Sequence, residues 1–205
     1  PFSSAAMRDQ AIYDLGSSDQ ILEILFISPV VADSAALINA ASITPSFANT
    51  LFFLTDGAAQ QLLLDSTTTS TDLYERIRGT RPATPNNALW GYFVTSYLNH
   101  YGTDPKNDAY SAYAHDAGWL TLYAAASAKF SDGRVTGIGM SRAMRHMSEG
   151  TSIDLSRSEW PEGLDVLMAG LPIDVTGSSG ELDYDPETQE TFAPIEVWNI
   201  VEVDG

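Results

Sequence analysis

Residues 52–65 read FFLTDGAAQQLLLD, and the fold turns on how that stretch divides. Leu51-Phe52-Phe53-Leu54 is a short apolar run of the length expected for a buried strand. Thr55-Asp56-Gly57 interrupts it, and Ala58-Ala59-Gln60-Gln61-Leu62-Leu63-Leu64 follows with helical character. The order is strand, acidic turn, helix. In open α/β sheets, ligands settle beyond the carboxyl ends of the strands, where loops lead into helices. Asp56 stands at such an end, and Gly57 lets the backbone turn closely behind it. Position alone supports a second reading equally, in which Asp56 caps the following helix by accepting bonds from its first N–H groups.

Upstream, residues 1–18 are small, polar and mixed, and read as a loosely held lead-in. Ile21-Leu22-Glu23-Ile24-Leu25-Phe26-Ile27 then forms an apolar strand stopped by Ser28-Pro29. Asp33-Ser34 reads as a helix cap, Leu37, Ile38 and Ala41 as the buried helical face, and Thr44-Pro45 as its end. Strand, helix, strand, helix predicts parallel pairing with helices packed on the sheet.

Downstream, the Ser/Thr run 66–71 reads as a surface loop, and Tyr74-Glu75-Arg76-Ile77-Arg78 as a third strand. Gly79 to Asn86, with Pro82 and Pro85, reads as a stiff extended connector or hinge that cannot continue that strand. Leu89, Trp90, Phe93, Val94, Tyr97, Leu98 and Tyr101 recur at helical spacing up to Gly102-Thr103-Asp104-Pro105. A second helix is expected from about Asp108 to Lys129, with Tyr110, Tyr113, Ala117, Leu120 and Ala124 inward, and a third from about Met140 to Met147. Residues 153–161 read as irregular. Strands are expected at Ile173-Asp174-Val175, Gly180–Asp185 and Ile195–Val201. The fold class is α/β, with a helical middle that has no sheet of its own.

Composition narrows the function. The chain has 205 residues, 44% of them hydrophobic, enough to bury a core in one domain or two small ones. Asp and Glu total 27 against 10 Lys and Arg, a formal charge of −17. That balance repels nucleic-acid phosphates and anionic headgroups, and slightly favours a cationic or zwitterionic ligand. The absence of cysteine excludes disulfides, zinc-thiolate sites and thiol catalysis. No apolar run approaches a membrane span, and no signal peptide opens the sequence.

Catalytic constellations are thin. His100, His115 and His146 fall on different expected helices without metal-ligand spacing, and His115-Asp116, as neighbours on a helix, are not expected to face one another. No Gly-x-Ser-x-Gly elbow exists, and Gly137-Ile138-Gly139 lacks the third glycine and preceding strand of a nucleotide loop. Asp183-Tyr184-Asp185-Pro186-Glu187 lacks the central glycine of a calcium loop and reads as an acidic turn. Arg76 and Arg78 read as a solvated strand edge. No metal or cofactor is expected.

Four segments in order resemble the C-terminal half of the type I periplasmic solute-binding proteins, in particular the leucine/isoleucine/valine receptors of ABC transporters. They are ILFISPVVADSAALINAA, FFLTDGA, DAYSAYAHDAGWLTLYAAASA and TGSSGELDYDPETQETFAPIEVWNIVEV. His115-Asp116-Ala117 stands where that family usually has Tyr-Asp-Ala. The resemblance implies two Rossmann-like α/β lobes, each a parallel sheet with flanking helices, joined by hinge strands and closing on a solute. On this reading residues 1–20 are a lead-in, 21–80 the later half of the second lobe and 81–86 a hinge crossover. Residues 87–176 are the helical end of the first lobe, whose sheet lies in a missing N-terminal half, and 177–205 return to close the second lobe.

The resemblance also implies a function: an exported, periplasmic or extracellular receptor, not an enzyme, that presents an amino acid or similar small polar solute to a membrane permease. Asp56 matches the position of a carboxylate that meets the ligand's ammonium group, one methylene shorter than the usual Glu. Thr55 and Gly57 flank it, Ser28 and Val30 line the turn after the first strand, and Tyr110 falls where the family offers an aromatic side chain. The family's aromatic pair after the first strand is replaced by Pro29-Val30-Val31. The apolar faces of the middle helices predict self-association or pairing with the missing half. Two other functions share these residues: a sensory domain of the same fold that reports to a partner protein, and a small α/β enzyme with Asp56 as general base.

Overall fold

A computed structural model of the chain describes residues 4–17, 21–68, 70–107, 110–185, 187–188 and 190–201. In chain order its elements are α1 (Ala5–Gly16), β1 (Glu23–Phe26), α2 (Val31–Ala41), β2 (Leu51–Leu54), α3 (Gln61–Asp65), α4 (Thr71–Tyr74) and β3 (Ile77–Pro82). Next come α5 (Ala88–Tyr101), α6 (Tyr110–Asp132), α7 (Gly137–Met144), β4 (Thr151–Asp154), α8 (Trp160–Met168), β5 (Ile173–Gly177), β6 (Gly180–Glu181) and β7 (Ile195–Asn199). The chain is α/β, and it divides into two units, Pro1–Pro82 with Ile195–Gly205, and Ala83–Pro194. Among the described residues no helix is long and apolar enough to cross a membrane.

The first unit is a four-stranded sheet in the order β1-β2-β3-β7. β1, β2 and β3 run parallel, in the register Ile24↔Phe52 and Phe52↔Ile77, while β7 returns antiparallel to β3 with Gly79↔Trp198. The pleat sends Ile24, Phe52, Leu54 and Ile77 to one face, where they pack with Leu37, Ile38 and Ala41 of α2 and with Phe47. Those three α2 residues are the face the sequence predicts. The helix starts at Val31, however, not at Asp33-Ser34: Ser28 Oγ accepts from Val30 N at 3.1 Å, and Asp33 in the first turn receives Arg8 Nη1 at 3.0 Å. Arg8 comes from α1, a helix capped by Ser4, where a loose lead-in is expected.

The third strand also lies further along than its composition indicates. Residues 71–74 form a helical turn, and the strand runs from Ile77 through Gly79 to Pro82. Its partner explains this: Thr80 and Arg81 pair with Val197 and Glu196, with Arg81 Nε 2.5 Å from Glu196 Oε1, and Pro82 lies at the last rung. Arg76 is not a solvated edge residue either, because its guanidinium donates to the carbonyls of Phe47, Thr50 and Asp72.

The opposite face of this sheet carries Leu25, Leu51, Phe53 and Val197, and Leu25 and Val197 are 63% and 68% exposed. Parallel strands with apolar residues on both faces are normally covered on both. The isolated chain is therefore expected to self-associate through this face. Sedimentation velocity should show concentration-dependent association that Leu25→Lys, on the edge strand, shifts toward monomer; a monomer at every concentration contradicts it.

The second unit corrects the expectation of a helical middle without a sheet. Residues 151–154 are a strand, β4, and residues 160–168 a helix, and each overlaps one end of the segment 153–161 read as irregular. β4 pairs parallel with β5, and β5 pairs antiparallel with the two-residue β6, which is what remains of the expected strand 180–185. Residues 177–194 fall in the second unit, Ala83–Pro194, and the sheet itself extends to Glu181. This sheet removes the argument for a sheet supplied from elsewhere. Its core joins Ile153, Ile173 and Val175 to Leu120, Tyr123 and Ala124 of α6 and Leu167 of α8.

The inward face of α6 is Ala112, Asp116, Leu120, Tyr123, Ala124 and Ala128, so Tyr110 and Ala117 do not point inward as expected. Asp108, the expected start of this helix, lies outside the described residues. α7 begins at Gly137, with Thr136 as its cap, a turn earlier than the expected Met140. Burial, with Glu159 nearby, pushes the Tyr123 phenol up to about 12. Asp185 accepts from the backbone N–H of Glu187 and Thr188, which holds its carboxyl below the usual range and makes this segment an acidic turn; Pro186 lies outside the described residues.

Candidate functional site

Because β1 and β2 are adjacent and parallel, their carboxyl ends open on the same edge of the first sheet. After Phe26 the chain runs through Ser28, Pro29 and Val30 into α2; after Leu54 it runs through Thr55 into a 3-10 turn at Asp56–Ala58. The two loops are bound together. Thr55 Oγ1 donates to the Ser28 carbonyl at 3.1 Å, and Ser28 Oγ donates to Asp33 Oδ2 at 2.9 Å. A Cβ at Gly57 would lie 2.5 Å from the Ser28 carbonyl oxygen and 2.8 Å from Pro29 Cα, closer than real Cβ atoms come. Glycine is required here by close backbone approach, as the sequence indicates.

Five of the six residues singled out from the sequence therefore meet at one place: Ser28, Val30, Thr55, Asp56 and Gly57. Ser28 is buried, Thr55 and Asp56 are half-buried, and Val30 is exposed. Tyr110, the sixth, is the first residue of α6 in the second unit and is half-exposed.

The geometry separates the two readings of Asp56. The next α-helix, α3, has Gln60 and not Asp56 at its N-cap position, and among the described residues Asp56 Oδ1 accepts only from the adjacent Gly57 N, at 3.0 Å. Among the described residues its carboxylate has no cationic partner. A partly desolvated carboxylate gains from a cationic partner that forms charge-assisted hydrogen bonds with it.

A second constellation lies in the second unit, and the sequence reading missed it. Asp116 is 1% exposed and accepts from Ser178 N at 3.0 Å, Ser179 N at 2.6 Å and Ser179 Oγ at 2.6 Å. Contrary to expectation, its neighbour His115 turns back to it, with Nδ1 2.9 Å from Asp116 Oδ1. Trp119 Nε1 donates to His115 Nε2 at 3.1 Å, so Nε2 is the acceptor nitrogen and Nδ1 carries the proton donated to Asp116. Ser178 Oγ lies 3.4 Å from that same Nδ1.

This is not the wiring of a nucleophilic triad, in which serine and carboxylate occupy opposite nitrogens of the imidazole. What the arrangement does is pin the turn Gly177–Gly180 to α6. The signal available in the sequence was the Gly-Ser-Ser-Gly run, whose turn exposes backbone N–H groups that need an acceptor. The Tyr113 phenol, one turn before Asp116, is pushed up by its burial and by that carboxylate.

Among the described residues no group of three or more His, Asp or Glu side chains is placed to hold a metal ion. No protein-family model, no curated protein and no solved structure matches the chain.

Proposed function

We propose that the protein captures an amino acid or a related small polar solute and releases it unchanged, with Asp56 as the anchor for the ligand's ammonium group. The observation that carries this reading is the state of Asp56. It is a half-buried carboxylate at the shared carboxyl ends of two parallel strands, without a cationic partner among the described residues and not at the cap position of α3. Thr55 and Ser28 brace the two loops against each other, so the carboxylate is presented by rigid elements. Val30, in the loop after β1, offers an exposed apolar surface. The sequence resemblance supports the same assignment, and with it an exported receptor that delivers its solute to the permease of an ABC transporter.

Thermal unfolding in the presence of each amino acid tests the proposal. At about one hundred times the dissociation constant a true ligand adds about 2.7 kcal/mol of stability. One class of amino acids is expected to raise the melting temperature, and the solute is expected back chemically intact. A flat response across all of them contradicts the reading.

A further inference from the structure

Independently of Asp56, the second unit contains a cleft of 460 Å³ at the carboxyl ends of its own two parallel strands, β4 and β5. One wall is a single face of α5, where Leu89, Tyr92, Phe93 and Ser96 follow helical spacing. The other is His115 and Trp119, one turn apart on α6. The rim is the β4–α8 connection from Asp154 to Glu159. We propose that this cleft binds a small organic cation, an ammonium or quaternary ammonium head carried on an apolar body.

Three features select that chemistry. The walls are aromatic and fixed: Phe93 stacks on Trp90 at 5.6 Å and lies 5.0 Å from the His115 ring. Tyr92 lines the cleft although its ring is 73% exposed, an open π surface on the face of a helix. Both nitrogens of His115 are already engaged, by Trp119 and Asp116, so the imidazole offers its ring face and no free hydrogen-bonding group. Cations are attracted to such faces, and aromatic walls are how proteins recognise quaternary ammonium groups.

The charges point the same way. Glu159 Oε2 is held by Asp154 N at 2.5 Å, and among the described residues the Asp154 carboxylate has no cationic partner. An anion would instead meet the Asp154 and Glu159 carboxylates that line the cleft, in a protein of formal charge −17. Arg157 on the rim is exposed to solvent, which screens its charge.

Isothermal titration of benzyltrimethylammonium into the full chain tests the proposal, with benzyl alcohol as the uncharged comparison and glucose as a polyol. Saturable binding of the cation is expected, weakening with added salt, and much tighter than that of either neutral compound. Tyr92→Ala and Asp154→Asn should each weaken it by about tenfold, while Asp56→Asn leaves it unchanged. If Asp154→Asn fails to fold by circular dichroism, the exposed Tyr92→Ala carries the test alone. The proposal is overturned by the absence of saturable binding, by equal affinity for a neutral compound, or by variants that bind as the wild type does. Loss of binding in Asp56→Asn would also overturn it, by placing the cation on the first unit.

Discussion

Asp116→Ala is expected to destabilise the protein by about 3 kcal/mol or more. The carboxylate is buried and serves four donors at once: two backbone amides, the Ser179 hydroxyl and His115 Nδ1–H. Removing it leaves buried N–H groups with neither protein nor bulk water to accept from them, and each such group costs about 1–3 kcal/mol. It also leaves a hole against Gly177, where even a Cβ would overlap the Asp116 carboxylate.

Asp116→Asn keeps one acceptor oxygen but turns an NH₂ toward donors, so it should fall between wild type and alanine. Chemical denaturation followed by tryptophan fluorescence reads the effect, since Trp119 and Trp160 pack together at 5.8 Å in this unit. Hydrogen exchange at the Ser178 and Ser179 amides should accelerate in parallel. A loss below about 1 kcal/mol in Asp116→Ala would show that these bonds are replaced by water.

Gly57→Ala is the second large effect, expected at about 2 kcal/mol or more, because the atoms in the way are backbone and cannot rotate aside. A side chain there meets the Ser28 carbonyl oxygen and the Pro29 backbone, which the Thr55 hydroxyl bond holds in place. The β1 and β2 loops must separate to admit it. The substitution should therefore reduce solute-dependent stabilisation as well as intrinsic stability, although it removes no group that touches a ligand. Thermal unfolding with and without the stabilising amino acid separates the two losses. A Gly57→Ala protein as stable as wild type would mean that the loops are not packed as described.

Much of the first unit is legible in the sequence because its information is local. Leu51–Leu54 is a continuous apolar run and Ile21–Ile27 is apolar except for Glu23, the pattern of parallel strands, and the Asp-Gly turn between strand and helix follows from adjacent residues. The collection of Ser28, Val30, Thr55, Asp56 and Gly57 then follows from parallel pairing alone. The third strand was misplaced because its pairing partner is β7, more than a hundred residues away by number (Arg81 against Glu196), and no local property of Gly79–Pro82 announces that partner.

The second unit is less legible in the sequence for a related reason. Thr151–Asp154 holds a single apolar residue, Ile153, too little to register as a strand, and becomes one by pairing with Ile173–Thr176. The His115–Asp116 contact was excluded on helical geometry, which holds for residues that project directly outward. Here Asp116 is drawn under the Gly177–Gly180 turn, and the His115 ring, held from its other side by Trp119, swings back over it.

The central claim is that Asp56 is a ligand anchor. Calorimetric titration of the amino acid that stabilises the protein, into wild type and into Asp56→Asn, tests it most directly. A charge-assisted hydrogen bond is worth about 1.5–3 kcal/mol, so the variant should bind more weakly by roughly tenfold to a hundredfold. The fold should be unchanged, because among the described residues the Asp56 carboxylate accepts only from its neighbour's amide, a bond the asparagine oxygen can keep. Equal affinity in the two proteins would contradict the account and leave Asp56 without a role in binding.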